Sequence, residues 1–188
     1  MFYHSHRMFH ISRFICFCYL LFAYLACGTP PLITPISGTI APNFTLKDQY
    51  DTEYRLDGFR GESVLLIGCD KGGVDGSENW FHLFSEQYAD RLKILPIFNA
   101  SGLPFFARLF MKGRIKAELR SSAEESNLPN ILLDWDGKVS RQYGVPSEKC
   151  VIVFINRSGR IQLFVPLGQM DEEKIQATFN LIDQQMAQ

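Results

Sequence analysis

The chain has 188 residues, 46% of them hydrophobic, and its 19 Lys and Arg against 20 Asp and Glu leave a formal charge of −1. That balance describes one globular domain with a short extra segment, and it excludes the basic footprint expected of a nucleic-acid binder. Internal repeats, which would mark a solenoid, are absent.

Arg7 and Arg13 precede an apolar run over residues 14–26, which is followed by the small residues Ala26, Cys27 and Gly28. The run is too short to cross a bilayer comfortably and has the form of a secretory h-region. Met8 is an alternative start, because residues 8–13 already supply a basic n-region. Three fates stay open for this leader. Cys27, after Leu25 and Ala26, can be lipidated and become the mature N-terminus, although Tyr24 stands where a lipoprotein box usually has leucine. The leader can also be simply cleaved, or kept as an anchor. Each fate delivers the domain outside the cytoplasm, to the periplasm or cell envelope. Residues 28–40 are rich in Pro, Gly and Thr without apolar periodicity and read as an extended tether. The chain therefore divides into a signal peptide (1–27), a tether (28–40) and one domain (41–188), with few contacts expected between the domain and what precedes Ala41.

Within the domain, residues 64–69 form a short apolar run ending in a turn cluster, the pattern of a strand covered on both faces. A Gly-rich turn follows. Asp75 stands three residues before Glu78, ahead of the apolar positions Trp80, Phe81, Leu83, Phe84 and Tyr88, so a capped helix should begin near Ser77. A strand feeding a helix through a tight turn gathers backbone N–H groups and the positive helix end over one spot suited to a thiolate or another anion. Residues 92–98 read as the next strand, with Pro96 near its end. Residues 101–120 read as a helix with Phe105, Phe106, Leu109, Phe110 and Ile115 as apolar positions. On it Arg108, Lys112, Lys116 and Arg120 recur every four residues. Such a stripe can meet anionic lipid or an acidic partner, but Glu118 and Gly113 interrupt it, and a solvated basic face is the favoured reading. Residues 130–133 give a third core strand and 137–143 a short helix. Residues 151–155 and 161–165 give a strand pair joined through Arg157, Ser158 and Gly159. The last helix spans 171–186, with Asp171, Glu172 and Glu173 at its N-terminus and Ile175, Phe179 and Ile182 on its buried side. Strands alternating with helices, then a closing hairpin and helix, make an α/β sandwich.

Several short motifs recur in the order and spacing of a known group. Ala41-Pro42-Asn43-Phe44-Thr45-Leu46 with Asp48, then Phe59-Arg60-Gly61, Leu132-Leu133-Asp134-Trp135-Asp136-Gly137, Tyr143-Gly144-Val145 and Phe154-Ile155-Asn156-Arg157-Ser158-Gly159-Arg160-Ile161 resemble the thioredoxin-like redoxin and peroxiredoxin families, which include the alkyl hydroperoxide reductases and thiol-specific antioxidants. The resemblance covers roughly residues 41–181. It implies a thioredoxin-like three-layer sandwich with a central mixed β-sheet, with residues 64–69 central between the strands at Leu92 and Val151. The chemistry of those families is missing from its usual places. A thioredoxin C-x-x-C falls on Gly73 and Gly76, and a peroxiredoxin T-x-x-C ends on Ser77. The proline usually cis opposite that turn falls on or next to Cys150, Pro146 being too early. Ser77 cannot pass through a sulfenic acid and reads as an early-turn or capping residue.

Cys16, Cys18 and Cys27 belong to the leader, so Cys69 and Cys150 are the thiols left to the folded domain, and His82 is its one histidine. That set is too small for a zinc site, no nucleotide-binding glycine pattern is present, and no cofactor is expected. His82, beside Trp80 and Phe81, reads as a packed or surface histidine. The Asn-x-Ser/Thr sequences at Asn43, Asn99 and Asn156 read as chance. In a sheet of the implied kind the exit of the strand ending at Cys69 meets the start of the strand beginning near Cys150. The two thiols should lie within about 10 Å, close enough for a bridge only in the right register.

Two functions follow. One is an envelope-located binding or accessory module that kept the scaffold and lost catalysis, with a protein partner at the usual active-site edge and a membrane link through the leader. The alternative is a thiol-disulfide oxidoreductase or antioxidant enzyme whose catalytic pair is Cys69 and Cys150.

Overall fold

The computed structural model describes residues 36–72, 77–122, 130–147, 149–167 and 172–187. Its strands are β1 (Thr45–Asp48), β2 (Glu53–Arg55), β3 (Val64–Asp70), β4 (Lys93–Asn99), β5 (Leu132–Asp134), β6 (Cys150–Ile155) and β7 (Ile161–Leu167). The helices are α1 (Ser77–Tyr88), α2 (Phe105–Ser122), α3 (Lys138–Gln142) and α4 (Glu172–Met186). The strands make one mixed sheet in the order β2-β1-β5-β4-β3-β6-β7. Parallel pairing joins β3 to β4 and β4 to β5, while β6 runs antiparallel to both β3 and β7. The expected central place of residues 64–69, between the strands at Leu92 and Val151, is what the sheet contains.

Alternation along the central strands supplies two cores. Val64 and Leu66 of β3 and Val151, Val153 and Ile155 of β6 enter one cluster with Leu95, Ile97, Val139 and Tyr143. Leu65, Ile67 and Cys69 join Cys150, Ile152 and Phe154 in the other, under Trp80, Phe84 and Tyr88 of α1 and Ile182 of α4. Trp80, Phe84 and Tyr88 are four residues apart, so one stripe of α1 is buried against the sheet. The helix begins at Ser77 as expected, while the cap proposed from Asp75 lies outside the described residues.

Gly68 is required on the first face by a close approach. A Cβ there would lie 2.4 Å from Cγ2 of Val145 and 3.4 Å from Cγ1 of Val151. Gly68→Ala is expected to cost about 1–3 kcal/mol by overpacking. Combining it with Val145→Ala should cost less than the two separate losses summed, and chemical denaturation of the four proteins of that cycle measures the difference.

Three sequence expectations are corrected. Helix α2 starts at Phe105 instead of Ser101, because Pro104 disfavours helical backbone in the residue before it, and Asn99 folds residues 99–101 into a local turn. Its Oδ1 accepts the N–H and hydroxyl of Ser101. On α2, Phe106 and Phe110 point to solvent, being 67% and 69% exposed, and among the described side chains Met111 and Ile115 make inward contacts against Phe98 and Leu133, those of Phe105 and Leu109 lying outside the described set. The basic residues of α2 do not form a purely solvated face. Arg108 lies over the Trp135 ring and donates to the Leu103 carbonyl, Lys112 pairs with Asp51, and Lys116 lies over Tyr50.

The chain also joins the fold earlier than Ala41. Gly38 N–H donates to the Ile161 carbonyl at 2.6 Å, Ile161 N–H to the Thr39 carbonyl at 2.9 Å, and Ser37 Oγ to the Gln162 carbonyl at 3.0 Å. These bonds satisfy the start of the outer edge of β7, which would otherwise present open backbone groups there. Asn156, in one of the three glycosylation-like sequences, accepts from Ser158 and Arg160 and shapes the β6–β7 turn.

Candidate functional site

Cys69 is the penultimate residue of β3 and Cys150 the first of β6, and the antiparallel register sets them directly opposite each other. They form a disulfide with Cα atoms 4.3 Å apart across 81 residues of sequence. That separation is the spacing of a non-hydrogen-bonded antiparallel pair, in which facing side chains approach most closely. Both side chains fall on the α1 side of the sheet. One residue of slip would have turned one of them to the opposite core.

The bridge is closed off from solvent, with Cys69 2% and Cys150 4% exposed. It shares its cluster with Ile67, Ile152, Trp80 and Leu167. Disulfide exchange needs a thiolate to reach one sulfur, and apolar burial on this scale blocks that approach. If the pair were reduced, the same surroundings would disfavour the thiolate form. The arrangement can hold two strands together, and it presents no nucleophile at the surface.

The other positions from the sequence fare differently. Ser77 is the first residue of α1. Gly73, Gly76 and Cys27 lie outside the described residues. Asp70, between Cys69 and the Gly-rich turn, accepts the Gly72 N–H at 3.0 Å and so begins that turn locally. His82 is half-buried on α1. Among the described residues no group of His, Cys, Asp and Glu is placed to hold a metal ion, and no helix is long and apolar enough to cross a membrane.

Sequence reasoning missed a buried acid at the C-terminal end of β5. Asp134 is fully buried, and its Oδ2 accepts the Ser140 N–H at 2.6 Å and hydroxyl at 2.7 Å, tying β5 to α3. Among the described residues its Oδ1 has no hydrogen-bond partner. Desolvation raises the Asp134 pKa against the two bonds from Ser140, and neighbouring Asp136 adds to the rise. Asp136 itself is lowered, first by the Lys138 N–H. The D-x-D-G spacing was the available signal, but nothing in it distinguishes the buried acid from the exposed one. Because the folded-state pKa lies above the unfolded value, the contribution of Asp134 to stability is fully present below about pH 4 and is lost as pH rises through its raised pKa. Asp134→Asn should remove that dependence while keeping an acceptor for Ser140. Urea midpoints measured from pH 4 to pH 8 should therefore change less for the variant than for the parent.

The architecture, a seven-stranded mixed sheet with helices on both faces, matches solved structures over most of the chain. The thiol:disulfide interchange protein assigned as DsbE from Chlorobium tepidum superposes with a TM-score of 0.59 at 16% identity, covering 81% of this chain and 99% of that one. The pneumococcal exposed lipoprotein thioredoxin Etrx1 from Streptococcus pneumoniae gives 0.57 at 20% identity, covering 74% and 98%. A thiol peroxidase from Chromobacterium violaceum gives 0.55 at 13% identity, covering 82% and 90%. At such identities the likeness is one of fold. A sequence match adds to it: the chloroplastic peroxiredoxin Q of Triticum aestivum is 30% identical over 112 residues, 59% of this chain. The fold is thioredoxin-like, and the sequence resembles the redoxins. No family model matches it. The chain spans about half, 47%, of the wheat protein it matches. Within the shared fold, its disulfide joins two adjacent strands beneath α1.

Proposed function

We propose that this protein is an accessory module of the cell envelope, in which the thioredoxin-like fold is kept as a binding scaffold and Cys69–Cys150 is a staple of the sheet. The observation that carries this reading is the burial of both sulfurs under α1, which leaves a substrate thiol or peroxide no path to them. The missing cysteines at Gly73, Gly76 and Ser77 argue in the same direction. An envelope location is supported by the basic, apolar and small-residue sequence of the leader, with Cys27 as the lipidation candidate. It is also supported by the bridge itself, since disulfides persist in oxidising compartments. The solved neighbours include an exposed lipoprotein thioredoxin. The partner is a protein that meets the edge where β3 leads into α1, and the membrane link runs through the leader.

A second reading keeps catalysis, with Cys69 and Cys150 cycling between disulfide and dithiol. It is favoured by the position of the bridge at the exit of the central strand and by the thiol-disulfide chemistry named for neighbours of the same fold. One assay separates the two. Disulfide reductase and hydroperoxide consumption rates are measured for the full chain and for the variant carrying Cys69→Ala and Cys150→Ala. The accessory reading expects the two proteins to be equally inactive, and a rate that disappears in the variant would establish the second reading instead.

A further inference from the structure

On the outward side of α2 the apolar and charged residues are arranged in a way that neither the bridge nor the sheet accounts for. Phe106 and Phe110 are one turn apart and 67% and 69% exposed, and Arg114, one turn further along the same line, is also exposed. Exposed Gly113 and Ala117 continue this surface without adding bulk. From residue 105 to residue 117 every charged side chain is basic, namely Arg108, Lys112, Arg114 and Lys116, although the whole chain carries a formal charge of −1. The acid facing this helix, Asp51, is ion-paired to Lys112, and Lys47 and Lys116 also act on it, so the patch stays positive. Tyr50, 43% exposed, lies under the Lys116 ammonium group beside the second half of the helix.

Aromatic side chains projecting from a stretch of helix, residues 105–117, whose charges are all positive have the chemistry of an interfacial helix, the one acid of α2, Glu118, following beyond it. The rings enter the headgroup boundary while the long cationic side chains spread to the phosphates. An acidic protein face would complement the charge equally well but gives no reason for two adjacent bare phenylalanines. A second copy of this chain would bring like charges together. We propose that the Phe106–Phe110–Arg114 face of α2 docks on an anionic phospholipid surface. This gives the domain a membrane contact separate from its leader, and it holds whether or not the Cys69–Cys150 bridge turns over.

The test uses the full chain with the photo-crosslinker p-benzoylphenylalanine in place of Phe106, and separately in place of Phe110. A third protein carries it at Leu181, which is 40% exposed on α4 and reports mere proximity conferred by the leader. Each is incubated with vesicles of phosphatidylcholine alone or mixed with phosphatidylglycerol, irradiated, and analysed by mass spectrometry of peptides. Phospholipid adducts at positions 106 and 110, confined to the anionic vesicles, absent at 181 and lost at about 1 M salt, where the screening length falls to about 3 Å, are the expected result. Adducts to a second protein chain, equal lipid adducts at all three positions, or no adduct at 106 and 110 would each overturn the proposal.

Discussion

Replacing both Cys69 and Cys150 by alanine is expected to lower the stability of the domain by about 4–5 kcal/mol, the loop-closure entropy released when a cross-link spanning so many residues is removed. The 81-residue separation sets that magnitude, since the bridge restrains the unfolded chain from β3 through to β6. Against a typical total of about 5–15 kcal/mol the loss is a large fraction of what keeps the domain folded. It should appear as a lower urea midpoint, and the wild type unfolded in the presence of dithiothreitol should approach the same midpoint. The size of the effect also bears on function. A catalytic pair must leave its protein comparably folded in both redox states, whereas a staple makes the oxidised state much the more stable. Near-equal midpoints with and without reductant would therefore speak against a structural role.

Phe84→Ala is expected to cost about 3–5 kcal/mol and to expose the bridge as well. Phe84 is fully buried, with ring centroids 5.6 Å from Trp80, 6.3 Å from Tyr88 and 5.5 Å from Phe179 of α4. With Tyr88, which also meets Phe179, it holds α1 to both the sheet and α4. Emptying its site loosens the cover over Cys69 and Cys150. Phe84→Leu, which keeps most of the volume, should fall well short of that loss. Calorimetry gives the stability of the three proteins, and the rate at which dithiothreitol opens the bridge in native buffer should rise for Phe84→Ala above the other two.

The residues that the sequence made legible are those whose placement follows from strand order and period. Once the run 64–69 was read as a central strand antiparallel to the one starting near Cys150, the meeting of the two thiols followed from counting. The direct Cys69–Cys150 pairing fixes a register that counting alone left open by a residue. Helix α2 was harder because its first turns are apolar nearly all round. Phe105, Phe106, Leu109 and Phe110 give no stripe that tells an inward from an outward face, and the choice is made by where Phe98 and Leu133 lie in the folded sheet. Its basic residues were visible as a repeat of four, but their partners Asp51, Tyr50 and Trp135 come from remote turns. The contacts of Ser37 to Thr39 run largely through backbone groups, which carry no side-chain signature in a Pro- and Gly-rich segment. Asp134 and Asp136 are alike as letters and differ only in burial.

The central claim, that Cys69–Cys150 holds the sheet together and does not turn over, is tested most directly by trapping its thiols. The full chain is incubated with dithiothreitol across a urea series, alkylated, and peptide-mapped at Cys69 and Cys150, with unfolding followed in parallel by circular dichroism. The two thiols are expected to stay protected in native buffer and to become labelled along the same urea curve as unfolding. Rapid labelling of both in the native protein, with re-formation of the bridge at the expense of an added substrate disulfide, would contradict it.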